Sequence, residues 1–397
     1  VTATNNFIPL PFSFLGVALF LLALRSDHRR TLLAAVAGFF LALAVSFKLS
    51  AVAIIPPVAL AAFLLPRALK LKDRVAGVVL PLLVGGVLGG TPILFYLLRD
   101  PGRFLAHVIG YHTGPHPQYW RLMSGDGEGG AMSLGQKLTL AQEIWFGPVV
   151  AVALAALLAI ALTAIARRND SEAPQRAVRL GEVVVLAGVV AFSVAFSFIP
   201  TPGFPQYFAP PLICLPLAFA LLVEALGPGA LPALRPIILA ATLVVIAING
   251  PRLGQYIGKA LHPQQWTAVR VHDGGMVIAD RLHAAGISGK VATLAPLYPL
   301  EGGLAVYAEL ATGPFAYRTG DMTSPELARY YTMTSPATVA ALLERDPPAA
   351  LLLGFDAELE KPLRAYAESH GYTPSAELGF KDRYGVPVLY LKPSAAP

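Results

Sequence analysis

The chain has little charge for its length. Only 14% of its 397 residues are Asp, Glu, Lys or Arg, whereas 55% are hydrophobic. Ordinary soluble domains carry about 25% charged residues, so this composition excludes a soluble protein. The density of charge also changes along the chain, because 27 charged residues lie in the first 248 residues and another 27 in the remaining 149. This difference in charge density predicts a membrane region followed by a region exposed to water.

Cysteine and phosphate-binding motifs are scarce as well. The single cysteine, Cys214, lies in an apolar run and excludes both an internal disulfide framework and a CxxC metal site. Neither GxGxxG nor GxxxxGK occurs, so the glycine pairs at 129–130, 274–275 and 302–303 are predicted to form turns. No Ser, His and Asp grouping forms a recognisable nucleophile motif.

Long apolar runs are what the sequence has in abundance. Because no water reaches the hydrocarbon core to satisfy backbone groups, each such run should be a membrane-spanning helix. Prolines inside several runs predict kinked spans. The eight runs cover residues 7–24, 31–47, 49–65, 75–98, 148–166, 183–199, 208–226 and 236–248. Glu224 is predicted to be the only acidic residue inside a span, and it lies at the inner end of that span.

The basic residues indicate the orientation of these spans. Before residue 249 there are 17 Lys and Arg against 10 Asp and Glu. Four alternating loops (RSDHRR, PRALKLKDR, ARRNDSEAPQRAVRLGE and GPGALPALRP) carry 12 of these basic residues, against 5 on the opposite side. Short basic loops stay cytoplasmic, so the other side, including everything after residue 249, is predicted to lie outside. The net charge of +6 therefore indicates membrane-surface loops and no nucleic-acid partner.

The predicted fold class is an α-helical polytopic membrane protein of about eight spans with a C-terminal soluble α/β domain. Residues 1–249 form the membrane domain, with an outer loop at 99–147, and residues 250–397 form the extracytoplasmic α/β domain. In the outer loop, RDPGRFLAHVIGY and SLGQKLTLAQEIW predict two amphipathic helices, the second with a capping box of Ser133 and Gln136. The segment between them, residues 112–133, is predicted to lack regular structure.

The last domain is predicted from alternating periodicities. KVATLAP and AALLLGF indicate buried strands, and SAELGF and VPVLYL indicate two more. Predicted helices cover residues 275–285, 335–345 and 357–370.

Polar residues at the outer boundary are the candidate site. Lys48 lies between two apolar runs, where a cation is costly unless it snorkels or faces a cavity. Facing an outer cavity, it would bind a lipid phosphate as a compact charge. Gln206 and Tyr207 precede a span on a short outer link, either as an interface anchor or facing the same cavity. The remaining candidates lie in the outer loop: His107, His112, His116, Tyr119, Trp120 and Arg121.

Three readings of the outer loop stay open. In the first, the aromatic faces of Tyr119 and Trp120 bind a sugar or lipid while Arg121 and the histidines bind a phosphate. In the second, the loop simply packs on the last domain. In the third, its histidines and carboxylates bind a divalent metal, although their spacing matches no ligand signature. Neither a metal nor a cofactor is predicted.

Several segments resemble one family of membrane enzymes. Two stretches resemble the multi-spanning glycosyltransferases of the C-type fold. They are GFFLALAVSFKLSAVAIIPPVALAAFLL, which follows a basic inner loop, and later FPQYFAPPLICLPLAFALL. These include protein-mannosyltransferase-like and aminoarabinose-transferase-like enzymes. Lys48 and Tyr207 match positions of that family, and Gln206 stands where Arg or His is frequent. PPAALLLGFDAELEKPLRAYAESHGYTPSAELGF through VPVLYLKP also resembles the outer α/β domain of such enzymes.

The resemblance implies transfer of a sugar from a polyprenyl-phosphate carrier to an acceptor on the outer face of a membrane. It further implies a multi-pass protein of the bacterial cytoplasmic membrane, whose partners are the carrier-linked sugar, membrane lipids and an unidentified acceptor. The family's acid in the first outer loop has no counterpart here. We therefore expect the chain to be the C-terminal part of a longer enzyme whose catalytic carboxylate lies upstream of Val1, with Asp126 as the fallback general base. The alternatives are a transporter and a non-catalytic lipid-binding membrane protein.

Overall fold

The computed structural model describes residues 7–123, 130–166, 176–226 and 231–393. The chain forms two compact units. The first, here called the membrane unit, comprises residues 1–108 and 123–251, and the second, the sheet unit, comprises residues 109–122 and 252–397. Residues 109–122 thus belong with the C-terminal residues, although the sequence interpretation assigned them to a loop of the membrane domain.

The membrane unit is built from helices, as expected for apolar sequence in which each backbone group must be satisfied within its own segment. Residues 49–54, 205–208 and 210–213 are 3₁₀ turns, and residues 75–79 and 106–110 are π-helical. The segments are Pro9–Arg25, Arg30–Phe47, Leu49–Ile54, Ile55–Leu64, Leu71–Arg74, Val75–Val79, Leu80–Gly89, Thr91–Arg99, Pro101–Leu105, Ala106–Gly110, Leu134–Trp145, Pro148–Ala166, Arg176–Ser197, Pro205–Phe208, Pro210–Ile213, Cys214–Leu226 and Leu231–Ala260. The last of these helices continues beyond residue 251 into the sheet unit.

Several of these helices are long and apolar enough to cross a membrane. Among the described residues there are four: Arg30–Phe47, Leu180–Ser197, Pro205–Leu226 and Pro232–Ala260. The count rises to six if two bent pairs each form one span. The helices Leu71–Gly89 and Thr91–Arg99 bend by 66°, and Leu134–Trp145 and Pro148–Thr163 by 64°. Two shorter apolar stretches are Pro9–Arg25 and Leu49–Leu64. The predicted helical membrane fold is therefore confirmed, whereas eight spans stays a prediction.

Glycines allow the Arg30–Phe47 and Leu80–Gly89 helices to pack backbone against backbone. A Cβ atom at Gly85 would lie 1.7 Å from the Ala35 carbonyl oxygen, and one at Gly38 would lie 2.0 Å from that of Leu82. Small residues of this kind let apolar helices approach closely and gain packing energy. The Arg30–Phe47 helix of this pair ends directly before Lys48.

A buried ion pair joins three helices of the membrane unit. Arg25, the last residue of Pro9–Arg25, donates hydrogen bonds to Glu182 on Arg176–Ser197 and to Glu224 on Cys214–Leu226. The Glu182 side chain is 1% exposed, against 54% for Glu224. The expectation that Glu224 is the one acid inside a span was therefore wrong, because the span window 180–197 includes Glu182.

The sheet unit combines short helices with a five-stranded mixed sheet. Residues 263–265, 308–310 and 320–322 are 3₁₀ turns. The helical segments, several of a single turn, are Tyr111–Thr113, Pro115–Met123, Pro263–Gln265, Thr267–Ala284, Leu297–Glu301, Ala308–Leu310, Pro314–Tyr317, Gly320–Met322, Pro325–Ala328, Val339–Arg345 and Lys361–Ser369. The strands are β1 (Lys290–Thr293), β2 (Ala305–Val306), β3 (Ala350–Leu353), β4 (Thr373–Pro374) and β5 (Val388–Leu391).

The strand order is β2-β1-β3-β5-β4. Strand β1 pairs in parallel with both β2 and β3, while β5 is antiparallel to β3 and to β4. All four residues of β3 are buried, as expected for a strand covered on both faces. The predicted strands in KVATLAP, AALLLGF and VPVLYL are confirmed. SAELGF is not a strand, because Gly379 has a φ of +74° and Leu378 turns into the core, so β4 lies upstream.

Two of the three glycine pairs can be compared with the predicted turns. Gly302 and Gly303 do form a turn. Gly274 and Gly275 lie instead inside the Thr267–Ala284 helix, so the prediction was wrong there. A Cβ atom at Gly275 would lie 2.4 Å from the Tyr298 carbonyl oxygen, so these glycines serve close packing.

The ion pair gives the first test. Replacing Arg25 by Met should destabilise the membrane unit by about 3–5 kcal/mol, because Glu182 would stay buried without a counter-ion. The measurement is unfolding in mixed micelles with a denaturing detergent. Arg103→Met is the control, since its partner Asp100 is 49% exposed, and surface pairs contribute roughly 0–1 kcal/mol. Equal losses in the two variants would contradict the role given to Arg25.

Candidate functional site

Lys48 is positioned by the end of one helix and the start of the next. It follows Arg30–Phe47 in an extended conformation, with φ −156° and ψ 120°, and its backbone N–H still donates to the Ala44 carbonyl. The Leu49–Ile54 turn begins immediately afterwards. The helix therefore ends at Lys48, where the extended backbone leads the chain into the next turn, at the boundary predicted from the sequence.

The Lys48 ammonium lies over an aromatic ring. Its Nζ atom is 4.5 Å from the ring centroid of Tyr207, which lies with half-buried Gln206 on the Pro205–Phe208 turn. A cation over an aromatic face is attracted by the negative side of the ring quadrupole. Among the described residues, no carboxylate pairs with this ammonium. Lys48 and Tyr207 are thus in contact, whereas a cavity shared by the two residues stays a prediction.

A second lysine, which the sequence interpretation missed, fixes the link that carries Tyr207. Lys137 is 6% exposed, and its Nζ donates to the Phe198 carbonyl at 2.8 Å and to Thr201 Oγ1 at 2.9 Å. Its helix, Leu134–Trp145, begins with the predicted capping box of Ser133 and Gln136. No local sequence pattern indicates that this lysine is buried, because its acceptors lie more than 60 residues away in the sequence.

A cavity of about 210 Å³ borders Lys48. Its wall is mostly apolar, with Ser46, Lys48 and Tyr96 as the polar residues. The remaining lining residues are Val45, Phe47, Leu49, Pro92, Ile93, Phe104 and Val108. One cation at the edge of an apolar cavity suits an amphiphile with an anionic head and an apolar chain.

The histidine-rich segment folds differently from the prediction. Residues 112–133 were expected to lack regular structure, but Pro115–Met123 is a helix, with Pro115, His116 and Pro117 buried. Prolines are tolerated there because the first turn of a helix has no intrahelical partners for its N–H groups. Trp120 Nε1 donates to His116 Nε2 at 3.2 Å, one helical turn away.

Aromatic residues from two parts of the sheet unit surround this helix. Tyr111 donates its hydroxyl to the Phe315 carbonyl at 2.8 Å, and the two rings lie 5.0 Å apart. Arg318 places its guanidinium 4.8 Å from the Trp120 ring centroid and 5.0 Å from that of Tyr119. The sequence interpretation proposed Arg121 beside these rings and missed Arg318, because nearly 200 residues separate it from them.

The remaining predicted site residues are exposed or outside the described ranges. His107 is exposed, and its Nδ1 donates to the Arg103 carbonyl at 2.8 Å. His112 and Arg121 are also exposed on the sheet unit. Asp126 lies outside the described residues. Lys48, His107, Gln206 and Tyr207 belong to one unit and the 112–121 candidates to the other, so their convergence on one cavity stays a prediction.

A further cavity of about 280 Å³ lies in the sheet unit, away from every predicted site residue. It is lined by Arg270, Asp273, Tyr298, Phe380 and Lys381 among others. Tyr298 follows β1, and its hydroxyl donates to Asp382 at 2.6 Å. Since β1 pairs with β2 on one side and β3 on the other, this is the edge at which open α/β sheets bind ligands.

Metal binding was left open for the histidines. Within residues 7–123, 130–166, 176–226 and 231–393, no three His, Cys, Asp or Glu side chains come close enough together to hold a metal ion. His116 is further occupied by its bond from Trp120. The described histidines therefore carry no argument for a metal site.

Comparison with known proteins finds no matching family model, no matching curated protein and no matching solved structure.

The buried histidine makes stability depend on pH. Burial, together with the charges of His112 and Arg318, lowers the pKa of His116 from 6.5 to about 4. Its neutral form is thus favoured by folding, and stability present above pH 6.5 should be lost as the pH falls towards 4, by about 1.4 kcal/mol per pH unit. His116→Gln should flatten the dependence of the melting temperature between pH 7 and 5, whereas exposed His283→Gln should not. An unchanged slope in His116→Gln would show that other groups set it.

Proposed function

We propose that this chain is an integral-membrane glycosyltransferase that takes a sugar from a polyprenyl-phosphate donor on the outer face of a membrane. The observation that carries the proposal is Lys48, an ammonium without an ionic partner among the described residues, at the edge of an apolar cavity. A polyprenyl phosphate combines the two properties that this site would recognise, an anionic head and an apolar chain.

The proposed reaction is a displacement at the anomeric carbon. A carboxylate takes the proton of the acceptor hydroxyl, whose oxygen then bonds to the anomeric carbon. The bond from that carbon to the phosphate oxygen breaks, and the polyprenyl phosphate leaves with the electron pair. Lys48 stabilises the negative charge that develops on the leaving phosphate. Asp126 is the fallback for this base.

Two described acids of the predicted outer side suit the role of base less well. Asp100 caps the Pro101–Leu105 helix by accepting from the Arg103 backbone N–H at 2.9 Å. Glu143 is exposed on the Leu134–Trp145 helix. This leaves Asp126 and Glu128 as the acids of the predicted outer loop to be tested by substitution.

The proposed topology has eight spans with the sheet unit outside. The four long helices, the two bent pairs and the two shorter apolar stretches would supply them. Arg25 and its two glutamates would then lie near the inner face. A transporter is less favoured, because Glu182 is already paired with Arg25.

Carrier binding tests the proposed site directly. Lys48→Met keeps the length of the side chain and removes the charge, so decaprenyl phosphate in lipid nanodiscs should bind about ten- to a hundredfold more weakly. Lys72→Met, an exposed lysine of the same unit, is the matched control and should bind as the parent does. Equal affinity in Lys48→Met and the parent would place the carrier elsewhere.

Activity is tested separately from binding. Radiolabelled decaprenyl-phosphate mannose and the corresponding arabinose donor are incubated with the protein and a membrane extract as acceptor source. Asp126→Asn tests the fallback base: if Asp126 takes the proton, transfer is lost in this variant while carrier binding persists, and if transfer persists, another group is the base. If carrier binding persists but no sugar is transferred by the parent, the lipid-binding alternative is favoured.

Topology can be read from two single cysteines in a Cys214→Ser background. A membrane-impermeant thiol reagent on intact cells should label a cysteine at Ser369, which is exposed on the sheet unit, and leave one at Ser171 unlabelled. The opposite pattern would reverse the orientation.

A further inference from the structure

Arg318 lies in a box of aromatic rings in the sheet unit. Its guanidinium carbon is 4.8 Å from the ring centroid of Trp120, 5.0 Å from that of Tyr119 and 5.6 Å from that of Phe315. Tyr119 and Trp120 are half-buried and their rings meet edge to face, with centroids 5.3 Å apart. The rings hold the cation in place and shield part of it from water.

The guanidinium of Arg318 has no acceptor among the residues that the structure describes. Its Nε is buried and donates to no atom there, and no carboxylate forms an ion pair with it. An arginine offers five N–H donors in a fixed planar fork. Its partly exposed side chain leaves some of those donors open to a ligand.

Five other arginines of this unit differ from Arg318 in this respect. All five donate from the guanidinium to an oxygen of the protein: Arg270 to Lys381, Arg281 to Glu377, Arg329 to Tyr330, Arg364 to Tyr390 and Arg383 to Tyr384. Three of these also lie over an aromatic ring. Contact with a ring therefore does not by itself prevent an arginine here from finding an acceptor.

The two histidines beside the box do not supply the missing acceptor for Arg318. His116 already accepts the Trp120 N–H through Nε2, and its ring packs at 5.8 Å from that of Phe315. His112 packs edge to face against His116 at 5.7 Å. The neighbourhood is thus aromatic and cationic, which attracts an anion and offers apolar faces to whatever carries it.

We infer that the Arg318 box binds an acidic sugar, with its carboxylate or phosphate on the guanidinium fork and its ring against Tyr119 and Trp120. Planar two-donor recognition of carboxylate and phosphate is the chemistry in which arginine excels. The inference goes beyond sugar transfer and does not need it, because a binding protein with no transferase activity would have the same box.

The test uses the full chain in detergent with 5-fluorotryptophan. The chain has three tryptophans, and Trp120→Phe identifies the Trp120 resonance. Galacturonate and galactose 1-phosphate are titrated, with galactose and inorganic phosphate as the neutral and sugar-free probes. Both acidic sugars should shift the Trp120 resonance, while galactose should not. Phosphate should bind about tenfold more weakly than galactose 1-phosphate.

Substitutions then separate binding from packing. Arg318→Met should weaken both acidic sugars about ten- to a hundredfold, and Arg318→Lys, which keeps a charge but loses the fork, should weaken them less. Arg383→Met is the control, since it removes an arginine lying over Tyr384 of the same unit. If Arg318→Met unfolds, Arg318→Lys and the parent titrations still decide.

Several outcomes overturn the inference. Unchanged affinity in Arg318→Lys and Arg318→Met would show that Arg318 only packs against the rings. A shift of the Trp145 or Trp266 resonance instead of Trp120 would place the ligand elsewhere. Equal binding of phosphate and galactose 1-phosphate would remove the sugar from the assignment.

Discussion

A cation beside a hydrocarbon layer needs a counter-ion or a polar ligand, because the layer offers neither water nor hydrogen-bond acceptors. The membrane unit contains both solutions. Arg25 has two glutamates and joins three helices with them. Lys48 has an aromatic ring and an apolar cavity, and no carboxylate pairs with it among the described residues. The proposed function depends on this difference, since the ammonium without an internal partner is the one that remains available to a ligand.

Features that depend on residues close together in the sequence could be predicted, whereas features that depend on distant residues could not. Apolar runs and the Ser133–Gln136 capping box are local, and both were confirmed as helix. Lys48 and Tyr207 were expected to face one cavity because both lie at the outer boundary of the membrane region, but no local signal predicted their direct contact. Lys137, Glu182 and Arg318 were missed because their partners lie roughly 60 to 200 residues away. The sequence interpretation was wrong at Pro115 and at Gly274, where it predicted irregular structure and a turn. Both residues lie in helices, since burial against other residues outweighed their local preference for turns.

The histidine-rich segment packs inside the sheet unit. Pro115–Met123 packs with Phe315 and Arg318, so it contributes rings to the Arg318 box. Burial, together with the charges of His112 and Arg318, lowers the pKa of His116 and favours its neutral form, which accepts a hydrogen bond from Trp120. An arginine among rings and a neutral histidine together favour an anion over a metal cation at this place.

The central claim, that the cavity beside Lys48 receives a polyprenyl phosphate, is tested most directly by photo-crosslinking. A decaprenyl phosphate with a diazirine near the head group is irradiated with the protein in nanodiscs, and the adducts are mapped by peptide mass spectrometry. The account predicts adducts within residues 45–49, 92–96 and 104–108, the three segments that contain the residues lining the cavity. It also predicts that excess unlabelled carrier abolishes these adducts. Adducts confined to the exposed Leu231–Ala260 helix, or adducts that unlabelled carrier does not displace, would contradict it.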